Sequence, residues 1–137
     1  MAATLDNIAI GDPAVEGVRM GPLVSKAQQK SAFEGLERLK SDARVITGGG
    51  LPERIRGGDL DKGCFLAPTL LECADPDGAR AVHEIEVFGP VATLIPYRDQ
   101  AHAIALANRG GGSLAVSLFS NDADFAAETA VGIAPSH

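Results

Sequence analysis

The sequence predicts an α/β domain with a largely parallel sheet, and three observations carry that expectation. Short apolar runs alternate along the 137 residues with stretches of helical periodicity. Sixteen glycines fall mostly between those runs, where tight turns need them. The hydrophobic fraction is 45% against an aromatic fraction of 4%, with no Trp, so an aliphatic core is expected. A chain of this length makes about one domain.

Each element has its own signal. SKAQQKSAFEGLERLKSDA opens with Ser25 and Gln28 as an S-x-x-Q capping box, in which each side chain satisfies an amide of the first turn. Phe33, Leu36, Leu39 and Ala43 then recur at helical spacing, leaving Lys26, Lys30, Arg38 and Lys40 to solvent. RVITGGG reads as a short strand ended by glycine, and LPERIRGGDLDKG as a charged loop without periodicity. CFLAPTLLE is strand-like, with Pro68 arguing for an edge position or a strand end. DPDGARAVH holds a turn and one helical turn, and GPVATLIPYR is a second apolar strand. DQAHAIALANRG is a helix with Asp99 as its cap, Ala101, Ile104 and Ala105 toward the core, and Gly110 as its stop. SLAVSLFS is read as a further strand, and NDADFAAETAVG as a last helix beginning near Asp122. There is no internal repeat and no low-complexity tract.

Charge and hydropathy exclude several classes. Eighteen acids against twelve bases give a net charge of -6, the wrong sign for a nucleic-acid backbone or an anionic membrane surface. The longest apolar stretch, residues 87–97, is about half a bilayer span and is interrupted by Gly89, Pro90 and Pro96. No basic region followed by an apolar one opens the chain, so no secretory signal is visible. Cys64 and Cys73 form no CxxC and have no His at metal-ligand spacing; reduced, mostly buried thiols in a cytoplasmic protein are expected. Gly110, Gly112 and Ala115 match G-x-G-x-x-A, but they end a helix and lead into a strand. A dinucleotide-binding turn needs the reverse, so a helix-ending turn is expected. His83, His102 and His137 are scattered, and no Ser or Cys is spaced to pair with them as a nucleophile.

EIEVFGPV, residues 84–91, raises the functional question. Glu84 and Glu86 stand in front of an apolar stretch with a Gly-Pro step. The plain reading is a solvated loop entering a strand. The sharper one uses the period of two: on an extended segment both carboxylates share a face. A carboxylate held by such a turn can accept two hydrogen bonds from a vicinal diol, and Phe88 would add an apolar surface beside the same ligand.

EVFGPV, residues 86–91, resembles the E-x-F-G-P-V motif of the aldehyde dehydrogenase superfamily. MGPLVSKAQ, GCFLAPTLL, and Ala107-Asn108 leading to LAVSLFS resemble further blocks of that family in the right order, and the likeness covers nearly the whole chain. Residues 81–120 are especially similar to the aldehyde dehydrogenase domain of the bifunctional phenylacetate-degradation ring-opening proteins: Gly112-Ser113-Leu114 stands where most relatives carry Tyr-Gly-Leu, and the triple glycine is typical of that group. The resemblance implies part of a three-layer catalytic domain, NAD or NADP as cofactor, and oxidation of an aldehyde, here a CoA-linked open-chain semialdehyde, to its acid. It also implies a homo-oligomer when the enzyme is complete. By position, Glu86 binds the ribose hydroxyls beside the nicotinamide, and Phe88 borders its ring. Gln28 matches a glutamine near the cofactor in some relatives, although the lysine often found three residues later is Ser31 here. Ile85 replaces the first acid of the commoner double-Glu pattern, so Glu84 inherits no role and is expected to face water.

In the family a cysteine thiolate attacks the aldehyde, hydride passes to the nicotinamide, and a carboxylate base activates water to release the acid. The Gly-Gln-x-Cys and Glu-Leu-Gly-Gly contexts of those two groups occur nowhere in the 137 residues. Cys64 stands where relatives usually carry an aromatic residue, and Cys73 follows a strand. The expectation is therefore a single catalytic-domain segment over residues 1–137, cut at both ends, that does not turn over an aldehyde by itself. Its open sheet edges should favour self-association. The competing reading is a non-catalytic truncated product or an interaction module that pairs with a full-length relative.

Overall fold

A computed structural model describes residues 1–110 and 115–134. Its elements in chain order are α1 (Ala2–Asp6), α2 (Lys26–Leu39), β1 (Arg44–Thr47), β2 (Thr69–Glu72), α3 (Ala81–Glu84), β3 (Val91–Leu94), α4 (Gln100–Ala107), a 3-10 turn (Asn108–Gly110) and α5 (Ala123–Ile133). The α/β class stands. The sheet, ordered β1-β2-β3, is mixed rather than largely parallel: β2 pairs antiparallel with β1 and parallel with β3. The connections explain the difference. A parallel return needs a crossover, usually helical. The segment between β2 and β3 contains α3, whereas the one between β1 and β2 is a helix-free loop that brings the chain straight back.

The helix signals are local, and they hold. Ser25 is the N-cap of α2, its Oγ accepting from the Gln28 amide at 3.1 Å. Asp99 and Asp122 cap α4 and α5, accepting from the amides of His102 and Phe125. Pro68 lies just outside β2, the strand-end alternative, and β2 is the central strand. At the end of β1, Gly48 has φ +77, and a Cβ there would lie 2.2 Å from the Pro68 carbonyl oxygen, so only glycine fits.

Two expectations are corrected. Residues 115–120 form no strand, and residues 113 and 114 lie outside the described residues, as do Gly111 and Gly112 of the glycine run. An apolar pattern signals that a segment can extend, but a strand exists only where a ladder partner is available. On α4, Ala101 and Ala105 are exposed, while His102 and Leu106 are buried. The polar histidine takes the inward position because both of its ring nitrogens are bonded there.

The core is aliphatic. Leu36, Leu39, Ala43, Leu71, Cys73 and Ala79 form one buried cluster, with Val45, Val82, Ile85, Val87, Val91 and Ile95 packed against it. It lies between α2 and the sheet, and full burial of each leucine contributes about 1.5–3 kcal/mol. Because Ile85 and Val87 belong to this packing, the core also sets the orientation of the residues between and beside them.

Candidate functional site

Residues 84–88 alternate as the period of two requires. Ile85 and Val87 pack on the core, while Glu84, Glu86 and Phe88 are exposed. Ile85 is extended, at φ -107 and ψ 116, so the alternation begins where α3 ends. The chain then makes two successive three-residue turns: the Gly89 amide donates to Val87 O and the Val91 amide to Gly89 O, both at 2.8 Å. Pro90 O immediately accepts from the Thr69 amide at 2.8 Å, which ties the turn into the start of the β2–β3 ladder.

The two acids differ in their surroundings. Glu84 pairs with Arg80 at 2.7 Å across one helical turn, with both side chains largely in solvent. Glu86 has no hydrogen-bond or ion-pair partner among the described residues. Phe88 is 70% exposed, unusual for the one aromatic in a tightly bonded turn. A free carboxylate that accepts only, beside an exposed aromatic ring on a rigid turn, fits a ribose diol next to a flat heteroaromatic ring. Gln28 reaches the same turn. Its Nε2 donates to the Phe88 carbonyl at 2.7 Å, so the reciprocal half of the capping box is absent and its amide group faces protein.

Sequence reasoning missed what stands behind this turn. Gly35 of α2 faces Val87 so closely that a Cβ would lie 2.8 Å from Val87 Cγ2, and a Cβ on Gly89 would meet Ala32 Cβ at 3.4 Å. At the other end of α2, Asp42 accepts from the amides of Arg80 (2.7 Å) and Ala81, serving as a remote cap for α3. These backbone hydrogen bonds hold its carboxyl below the usual carboxylate range. A glycine inside an otherwise amphipathic helix is the signal that could have found this contact.

The other polar cluster lies at the opposite end of β2 and β3. His102 Nδ1 accepts from the Arg98 amide at 3.1 Å, so its Nε2–H faces Asp77 Oδ1 at 3.1 Å. Asp77 also pairs with Arg98, whose hydrogen bond is the main cause of its lowered pKa. Arg109 donates to the carbonyls of Pro76, Asp77 and Ala79. His83 lies half-buried with Nε2 3.3 Å from Pro76 O. Every charged group here is bonded within the protein. Both cysteines are free thiols: Cys64 is half-buried, and burial pushes the Cys73 thiol up, away from the thiolate a nucleophile needs. Among the described residues no group of His, Cys, Asp and Glu could hold a metal ion, and no helix is long and apolar enough to cross a membrane.

The α/β fold thus presents an exposed carboxylate and an exposed aromatic ring on one hydrogen-bonded turn. The family match follows the same line: residues 1–134 match the aldehyde dehydrogenase family, and the chain belongs to it. It is 47% identical over its whole length to 27% of the 3,4-dehydroadipyl-CoA semialdehyde dehydrogenase of Aromatoleum evansii. Its fold is similar to HpcC from Thermus thermophilus, with a TM-score of 0.86 and 27% identity over 96% of this chain and 25% of that one. A betaine aldehyde dehydrogenase from Staphylococcus aureus, solved in complex with NAD+, is similar with a TM-score of 0.82 and 30% identity, over 96% of this chain and 26% of that one. The chain thus spans about a quarter of the length of these relatives.

Proposed function

We propose that this chain forms the nicotinamide-ribose side of an NAD- or NADP-dependent aldehyde dehydrogenase. The observation that carries the reading is the exposed, partnerless carboxylate of Glu86 beside the exposed ring of Phe88 on one hydrogen-bonded turn. Glu86 accepts from the ribose hydroxyls, and Phe88 covers one side of the nicotinamide, which supplies the hydride acceptor when bound. The relative from Aromatoleum evansii supports a CoA-linked semialdehyde as the aldehyde oxidised by the complete enzyme. The complete enzyme is a cytoplasmic homo-oligomer in this reading. The 137 residues carry neither the nucleophile nor the base context, so this chain holds cofactor and does not oxidise an aldehyde by itself.

The test is a titration of the chain with NAD+ and NADP+, followed by ligand-observed NMR, for the parent and for Glu86→Gln. Charge-assisted hydrogen bonds contribute about 1.5–3 kcal/mol each, so the substitution should weaken binding by at least about tenfold. Equal affinity of the parent and Glu86→Gln for both nucleotides would remove the ribose assignment.

A further inference from the structure

The first turn of α2 sends three long side chains to carbonyls far away in sequence. Lys26 Nζ donates to Asp61 O (3.0 Å) and Gly63 O (2.6 Å), Gln29 Nε2 to Phe65 O (2.7 Å), and Gln28 Nε2 to Phe88 O (2.7 Å). Gln28 heads a continuous face. Positions 28, 32 and 35 follow the i, i+4, i+7 spacing of one helix side, and they meet the carbonyl of Phe88, the backbone of Gly89 and the side chain of Val87 in turn. Asp42, beyond the C-terminus of α2, holds the start of α3. The helix therefore backs the segment 80–89 along its length, in antiparallel sense.

We infer that Gln28 is a positioning residue: with the Ala32–Gly35 face it acts as the template that aims Glu86 and Phe88, and it is not itself a cofactor ligand. Phe88 O is the carbonyl at the apex of the turn; the bonds within the turn use the carbonyls of Val87 and Gly89, Pro90 O takes the Thr69 amide, and Phe88 O is left to Gln28. A single donor at that point fixes the direction of the Phe88 peptide plane, and with it the outward direction of the ring. Gly35 has no side chain where Val87 arrives, so α2 can approach closely enough for Gln28 to reach. The inference deepens the proposed ribose site and rests on that reading for its purpose, but the bracing itself can be measured without any nucleotide.

Amide hydrogen exchange of the 137-residue chain tests it, with Gln28→Ala, Gln28→Glu and Gln28→Lys beside the parent. Glutamate keeps the size and loses the donor, whereas lysine keeps a donor of sufficient reach. Exchange at the Gly89 and Val91 amides should quicken about three- to tenfold in the alanine and glutamate variants, as expected for loss of one hydrogen bond. Lysine should restore the parent rates, and the β2 amides should be unchanged in all three. Unchanged exchange at Gly89 and Val91 in Gln28→Ala overturns the inference. So does equal quickening throughout β2, which would make Gln28 a general stabiliser. If the turn responds to Gln28 while nucleotide affinity ignores Glu86→Gln, the bracing stands and the ribose reading falls.

Discussion

The two ends of the β2–β3 ladder use the same kinds of side chain for opposite purposes. At the carboxyl end, Asp77, Arg98, His102 and Arg109 bond to one another or to the backbone of the 76–79 turn, so each of these four side chains has a partner. At the amino end, backbone and neutral groups do the holding, and the charged group, Glu86, stays free in solvent with Phe88 beside it. An end that must only stay closed can spend its charges on itself. The ribose site proposed for the other end needs its carboxylate unspent and its turn held by something else, here Gln28, Gly35 and the core.

The comparison can be broken most severely from the shared core. Leu71 is fully buried between the two ends, so Leu71→Ala should destabilise the whole chain by about 2–5 kcal/mol, with both ends lost in one urea transition. Two separate transitions would mean that the ends are independent. His102→Ala strikes the closed end alone: it leaves the Arg98 amide without its acceptor and should cost about 1–3 kcal/mol with nucleotide affinity unchanged.

Gly35→Ala tests the open end through packing. The helix gains about 1 kcal/mol of propensity, but overpacking against Val87 costs about 1–3 kcal/mol. The expected result is a small net loss of stability together with faster exchange at Gly89; a clear gain in thermal midpoint would show that Val87 yields freely. Acidification sharpens the comparison further. Asp42 and Asp77 both have folded pKa values below the ordinary 3.8. Their contribution is therefore complete above the unfolded value and is lost as pH falls below about 4. Urea midpoints should drop between pH 5 and pH 3, and Asp77→Asn should flatten that drop. The smallest stability effect belongs to Glu86→Gln, which removes no internal contact and should leave the melting midpoint where it was while weakening nucleotide binding. A large fall in midpoint would place Glu86 in a structural role instead.

Much of this is legible in the sequence because the signals are short-range. Ser25, Asp99 and Asp122 cap helices through amides three residues away, and the 84–88 alternation follows from the pleat of an extended chain. The same reasoning failed where a partner was distant. It assigned Gln28 to its own helix end, faced Ala101 and Ala105 inward instead of His102, and gave residues 115–120 a strand without knowing what they would pair with.

By itself, then, the sequence determined the starts of α2, α4 and α5, the aliphatic core and the resemblance that singles out Glu86 and Phe88, since these depend on neighbours within one turn or on the order of motifs. Only the tertiary structure decided that the sheet is mixed, that Gln28 reaches Phe88 across 60 positions of chain, and that Asp42 caps α3 from 38 positions away. The physical reason is the same in each case. A side chain's chemistry states what it can bond to, but which of many equivalent carbonyls and amides it meets is settled by packing, and packing is a property of the whole fold.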